Sequence, residues 1–352
     1  MPAHLHDNPL RFLLASSAPE VRYLVLRDLL EESPGGVVLE EAYRGLAKSE
    51  RILELKAVGN AGVMGDAAHF DILYRGTMWY FCEAAARGLD ARDDTLAKSA
   101  EFLLQRSQLD SGGITLNWKP AREVSCRTGD LMRWMVRAGI TDARIARGIG
   151  WIKKHQRHDG GWLHCPLAGV LDMASLIFLR RSGDGKRDRE EDAGTRSCVR
   201  ATASCLAALI EARNLEPGGD LEKSIARGAE YFLNHRFFMG PERFEEPVCC
   251  GLRGADYLKS GYPVMSHYDA LMGLQLAARA GFASDPRTVP AFNHLVAGQE
   301  AGGTWPLEAY GAGMLFEKKS RAGTDGTGFI TLNALLAMKY CGVIEWNRTG
   351  LV

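Results

Sequence analysis

Large apolar residues recur at helical spacing in four stretches of this chain. They begin at Ala100 (AEFLLQRSQLDSGG), Ile149 (IGWIKKHQRHDGGW), Ala229 (AEYFLNHRFF) and Phe292 (FNHLVAGQEAGGTW). In each, the apolar positions share one face, as in a helix with one buried side. Three of the four break at a Gln followed by Gly-Gly, and glycine readily takes the left-handed conformation that ends a helix. The stretches return at unequal intervals, so the pattern predicts a repeat that carries insertions. The clearest insertion, RRSGDGKRDREEDAG at 180–194, is a glycine-punctuated run of mixed charge and reads as a solvated loop.

Between these amphipathic helices lie segments that are apolar over most of their circumference. They span 69–89, 126–140, 197–212, 267–282 and 328–342, and DMASLIFLRR at 172–181 supplies a sixth. Helices of that kind are buried on several sides. No run of alternating β-branched residues predicts a sheet. The expectation is an all-α chain of alternating inner and outer helices. At the N-terminus EVRYLVLRDLLEES is amphipathic and stops at Pro34-Gly35-Gly36, which predicts a HEAT-like helical cap over 1–38 docked on a body spanning 39–352.

Composition narrows the function classes. Lys plus Arg and Asp plus Glu number 43 each in 352 residues, so no basic surplus favours nucleic acid or an anionic membrane. No apolar run is long enough to span a bilayer, and no basic segment leads into an apolar stretch near Met1. With 8 cysteines and no secretory leader, reduced thiols and a cytoplasmic location are expected. The phosphate-loop, dinucleotide, HExxH and GxSxG patterns are missing, so no nucleotide cofactor is expected.

The three repeat boundaries bring Gln108, Gly112, Gly113 and Trp118 into register with Gln156, Gly160, Gly161 and Trp162, and with Gln299, Gly302, Gly303 and Trp305. They resemble the prenyltransferase/squalene-oxidase repeat of the terpenoid cyclase and protein prenyltransferase superfamily, over roughly residues 40–345. The resemblance implies an (α/α)6-type toroid in which the Gln and Trp tie each helix end to its neighbour. It also implies a cavity lined by the N-terminal ends of the inner helices and the loops leading into them. Activity is less specified, because related toroids cyclise terpenes, prenylate cysteines, degrade polysaccharides or bind partner proteins.

Cys126, Cys165 and Cys198 fall at such entries. A helix N-terminus favours a thiolate, and three thiolates with His267 or His164 would satisfy tetrahedral zinc. Small cysteines equally pack helices together. Asp71, Asp130, Asp172 and Asp269 occupy first turns, where acids balance the helix dipole or, in an apolar cavity, serve as general acids. Asp130, Asp269 and His267 are the catalytic candidates. Tyr74, Arg127, Trp134 and Tyr268 are the candidates for holding substrate, aromatic faces for an apolar or cationic portion and arginine for an anion, and Phe70 and Tyr262 are further aromatics placed to line an apolar pocket. The proton-donating Asp-x-Asp-Asp of class II terpene cyclases is missing; in LDARDDTLAK the acids read as a helix N-cap. The sequence therefore favours an enzyme acting on an apolar or isoprenoid-type small molecule in a central cavity, with zinc assistance. A scaffold toroid that binds a protein or ligand and a polysaccharide-degrading toroid are the alternatives.

Overall fold

The computed structural model describes residues 8–59, 62–117, 119, 121–163, 197–215, 219–237, 257–262, 268–310, 322–343, 346–347 and 350–351. The chain is mostly helical, and among the described residues β structure amounts to two pairs of two-residue strands, Gly261–Tyr262 with Ala309–Tyr310 and Trp346–Asn347 with Gly350–Leu351, and three isolated bridges. The N-terminal helices are α1 (Pro9–Leu14), α2 (Pro19–Leu24), α3 (Val37–Ala47) and α4 (Glu50–Ala57). α2 runs on as a π turn over Val25–Leu29.

From there amphipathic and fully apolar helices alternate. The inner set is α5 (Thr77–Ala86), α7 (Ser125–Arg137), α9 (Val199–Glu211), α11 (Ala270–Ala277) and α13 (Ala322–Tyr340). The outer set is α6 (Asp94–Ser107), α8 (Ala143–Lys154), α10 (Gly219–Asn234) and α12 (Val289–Ala297). Asp93 caps α6 by accepting from Thr95 and Leu96 N–H, and Asp142 caps α8 through Arg144 N–H. Each inner helix packs on the next, α5 on α7, α7 on α9, α9 on α11 and α11 on α13, while α13 packs on α1, α2 and the π turn. No described helix is long and apolar enough to cross a membrane.

The Gln-Gly-Gly boundaries fold alike. Gln108 Nε2 donates to the Gly112 carbonyl at 3.0 Å and to the Arg144 carbonyl of α8 at 2.8 Å. Gln156 Nε2 does the same with Gly160 at 2.9 Å and Ser224 of α10 at 2.8 Å, and Gln299 Nε2 reaches Gly303 at 3.0 Å. Gly112, Gly160 and Gly303 take φ of 97°, 87° and 82°, where a side chain would be strained. Trp162 and Trp305 donate their indole N–H to carbonyls ten residues back, Ile152 and Leu295. Each amide thus ties its own turn, and two also hold the following outer helix.

One inner helix is shorter than its pattern. The apolar run from residue 69 predicts helix, yet α5 starts at Thr77. Asp66 accepts N–H bonds from Ala68 and His69, and Gly76 N–H donates to Ile72, so 66–76 closes into a loop of its own.

Candidate functional site

The sequence candidates lie mainly at the N-terminal ends of the inner helices. Cys126 is the second residue of α7 and Cys198 the N-cap of α9, both buried. Cys205, about two turns further along α9, donates its S–H to the Ser125 carbonyl, with Sγ and O 3.4 Å apart. Burial first, then the nearby Cys126, Asp130 and Cys198, push the Cys205 thiol well above its ordinary range. Among the described residues, no three His, Cys, Asp or Glu side chains are placed to hold a metal ion. Cys165, His164 and His267 lie outside the described residues.

The acids are held in place. Asp130 is buried and accepts from Ser204 Oγ at 2.7 Å, linking α7 to α9. Asp269 caps α11, its Oδ1 accepting from Met272 N–H at 2.7 Å and its Oδ2 from Gly261 N–H at 2.9 Å. Tyr268 is a core residue: its hydroxyl donates to the Phe237 carbonyl and its ring stacks on Phe232 with centroids 5.2 Å apart. Tyr74 sits in the 66–76 loop with φ 64°, its ring edge-on to Trp79 at 4.1 Å. Arg127 is half-buried in the first turn of α7.

The cleft lies elsewhere. It has a cavity volume of about 70 Å³, is partly open to solvent, and is lined mainly by the C-terminal halves of the inner helices. Arg133, Trp134 and Arg137 come from α7, and Glu211 ends α9. Arg279 comes from the π turn Ala278–Phe282 that extends α11, and Asp28 from the π turn after α2. Apolar wall is supplied by Leu332 and Leu336, and by Tyr262 and Phe329, whose rings stack 4.0 Å apart. Of the residues singled out in the sequence, Trp134 and Tyr262 are among those lining it.

Most of the cleft's charge is paired. Arg137 bridges the Asp28 carboxylate and Glu211, the latter at 3.7 Å, and Arg279 reaches Glu211 at 2.8 Å. Burial alone would raise both carboxyls. Arg137 and Arg27 overcome it at Asp28, and Arg137 and Arg279 bring Glu211 down to about 2. Arg133 is different. Its Nε and Nη1 are buried and bond to no group, and its guanidinium lies 4.3 Å over the Trp134 ring. Desolvation, with Arg137 and Arg279 nearby and Glu211 opposing, drops its pKa to about 10. The Trp134 indole N–H is also buried without an acceptor. Adjacent residues thus present three unbonded donor nitrogens, which costs free energy unless something accepts from them.

These charges were missed in the sequence because the resemblance directs attention to helix entries. A signal existed: LMRWMVR places Arg133 and Arg137 one turn apart in an otherwise apolar stretch of α7. The partners Asp28, Glu211 and Arg279 are far apart in sequence and come together only through the packing of helix ends.

Known proteins add little. No family model matches the chain, and no curated protein matches it. Among solved structures, a protein from Actinoplanes is similar at a TM-score of 0.28 with 18% identity, over 75% of this chain and 89% of that one. A likeness at that score carries no argument about fold or activity.

Proposed function

We propose that this chain is an (α/α) toroid that binds a small amphipathic organic anion in the cleft between its inner helices. The anionic group meets Arg133, and the apolar portion lies against Tyr262, Phe329 and Leu332. Support for the toroid comes from the alternation of inner and outer helices and from the shared Gln-Gly-Gly turn geometry. The observation that carries the ligand reading is Arg133, a half-buried cation on the cleft wall that pairs with no carboxylate among the described residues. A site of this kind combines apolar lining with a few convergent polar groups.

The activity suggested by the repeat resemblance is that of an enzyme on an isoprenoid-type substrate, in a cytoplasmic protein with reduced thiols. Zinc assistance would rest on Cys126, Cys165, Cys198 and His267, of which Cys165 and His267 lie outside the described residues, so no step here runs through a metal. The scaffold reading predicts a protein partner and a cleft without ligand.

Calorimetric titration with a panel of prenyl diphosphates, isoprenoid and fatty carboxylates and their uncharged alcohols tests the proposal, with mass spectrometry of each mixture for turnover. Binding of the anions with product formation supports the enzyme, and binding without turnover supports a carrier or sensor. If no anion binds in preference to the alcohols, the proposal fails.

A further inference from the structure

Resting on the reading of the cleft as a site for an amphipathic anion, we infer that the cleft opens at the seam between α2 and α13 and that the anion enters there. As it stands, the cleft has a volume of about 70 Å³, room for a few waters, whereas sites for organic ligands run to roughly 300–1,000 Å³. An apolar body fits only once two walls part, and the two flanks of α2 differ in how firmly they are held.

The seam is where the two ends of the chain meet. Lys339 of α13 donates to the Leu29 carbonyl, 310 residues away in the chain, at 2.9 Å and to the Asp28 carbonyl at 3.3 Å. It also pairs at 2.8 Å with Glu31, whose side chain is 73% exposed. Glu31 takes φ 53°, in the left-handed region that is strained for a residue with a side chain. Beside this latch the contact is apolar, with Val21 lying against Gly328.

The opposite flank of α2 is tied by buried groups. Ser49 Oγ donates to Glu20 at 2.8 Å, Arg87 stands 3.9 Å from the same carboxylate, and all three residues are buried. Tyr23 presses on Gly88, where a Cβ would stand 2.7 Å from its ring. Successive outer helices are clamped as well. Arg92, ahead of α6, reaches Glu40 of α3 at 2.8 Å; Arg144 of α8 reaches Glu101 of α6; and Arg287, ahead of α12, reaches Glu230 of α10 at 2.8 Å. Each of these arginines also pairs with the aspartate two residues before it. Among the described residues no such Asp-x-Arg clamp crosses the seam.

The cleft lies directly behind the seam. Leu24 and Asp28 line it from α2 and its π turn, and Leu332, Asn333 and Leu336 from α13, so parting these elements widens the cleft itself. An entering anion also favours the open form. Asp28 spans the cleft to Arg137, while Arg27 of its own turn bonds the same carboxylate at 2.7 Å. When α2 moves away from α13, Arg27 goes with Asp28 and keeps it paired, and the anion takes its place on Arg137. Binding thus replaces the ion pair that opening breaks, which gives the ligand the differential affinity needed to shift a conformational equilibrium.

A cross-link tests the opening. A Cβ at Gly328 would stand 3.8 Å from that of Val21, the separation found across a disulfide. The full chain carrying Val21→Cys and Gly328→Cys is closed with oxidised glutathione and reopened with a phosphine reductant, and wild type receives the same treatment. Entry of decanoate is followed by tryptophan fluorescence, and opening of the free protein by amide exchange. Decanoate is expected to enter the cross-linked form at least about 100-fold more slowly than the reduced form. Amides of 21–29 and 329–340 should exchange faster than those at the centres of α7 and α9, about tenfold faster still in Lys339→Met, and more slowly once cross-linked. Decanoate entering both forms at one rate overturns the inference and leaves the anion reading standing. Seam amides as protected as those of α7 and α9, and indifferent to Lys339→Met, overturn it whatever binds, and that measurement needs no cross-link should the cysteine pair not fold. Binding of decanoate to no form overturns the anion reading, and the exchange pattern then decides the opening alone.

Discussion

Gly129 of α7 lies directly against the backbone of Ser204 on α9: a Cβ at this glycine would stand 2.5 Å from the Ser204 carbonyl carbon and 2.6 Å from the Cys205 nitrogen. The helices meet there with no side chain between them. That close approach lets Asp130 bond Ser204 and Cys205 reach the Ser125 carbonyl. Gly129→Ala has no flexible neighbour to displace and must push the helices apart. It is expected to destabilise the protein by about 2–3 kcal/mol, as overpacking does, read as a lower midpoint in urea unfolding. A midpoint at the wild-type value would mean that the contact yields at no cost.

Arg133 makes the opposite prediction for the free protein. A half-buried guanidinium whose Nε and Nη1 are sealed from solvent and unbonded is destabilising, and its stacking on Trp134 offsets only part of that cost. Arg133→Met is therefore expected to raise stability without ligand by about 1 kcal/mol, seen as a higher melting temperature, while lowering affinity for the anion. A residue that served only the fold would lower both. Loss of stability in this variant would show that Arg133 is satisfied by the structure alone.

The repeat turn contains a residue that the sequence pattern did not reveal. Thr202 Oγ1 accepts from the Trp162 N–H at 3.1 Å and donates to the Cys198 carbonyl at 2.8 Å; Thr128 does the same for Ile114 N–H and Val124. Thr331 Oγ1 accepts from Trp305 N–H at 3.1 Å. Thr202→Val keeps the shape and orphans a buried N–H, with an expected cost of about 1–3 kcal/mol. Thr202→Ser should restore most of it. Urea unfolding of the pair decides the matter: if valine and serine behave alike, the hydroxyl is not what holds the turn.

That threonine shows where the sequence stops being legible. Helices and their order follow from local periodicity, and the Gln-Gly-Gly turns from residues a few positions apart, so both could be read directly. Thr128, Thr202 and Thr331 follow their Gly-Gly pairs at different distances, because the segments between differ in length. The register appears only once each inner helix packs. The cleft is harder still, since Asp28, Arg133, Arg137, Glu211 and Arg279 come from four elements, two of them π turns that no apolar pattern signals. Trp134 was found because a large aromatic on an inner helix is visible in one dimension. Its neighbour Arg133 is less legible, since arginines near a helix C-terminus ordinarily read as dipole partners.

Acid titration probes the paired part of the cleft. In the folded protein Glu211 has its carboxyl brought from 4.5 down to about 2, the pull of Arg137 and Arg279 outweighing the upward push of burial. A depressed carboxylate stabilises the fold fully above its unfolded value, and that contribution is lost as pH falls from there through the folded value. Asp28 acts in the same sense, since Arg137 and Arg27 hold it below its ordinary range against burial. Between about pH 5 and about pH 2, Glu211 is therefore expected to account for about 3 kcal/mol of lost stability. Glu211→Gln should start less stable at neutral pH, because Arg137 and Arg279 lose their shared partner. It should then lose less on acidification, so that the two curves converge toward pH 2. Urea unfolding at a series of pH values gives both curves, and parallel curves across the window would show that Glu211 is not held by these arginines.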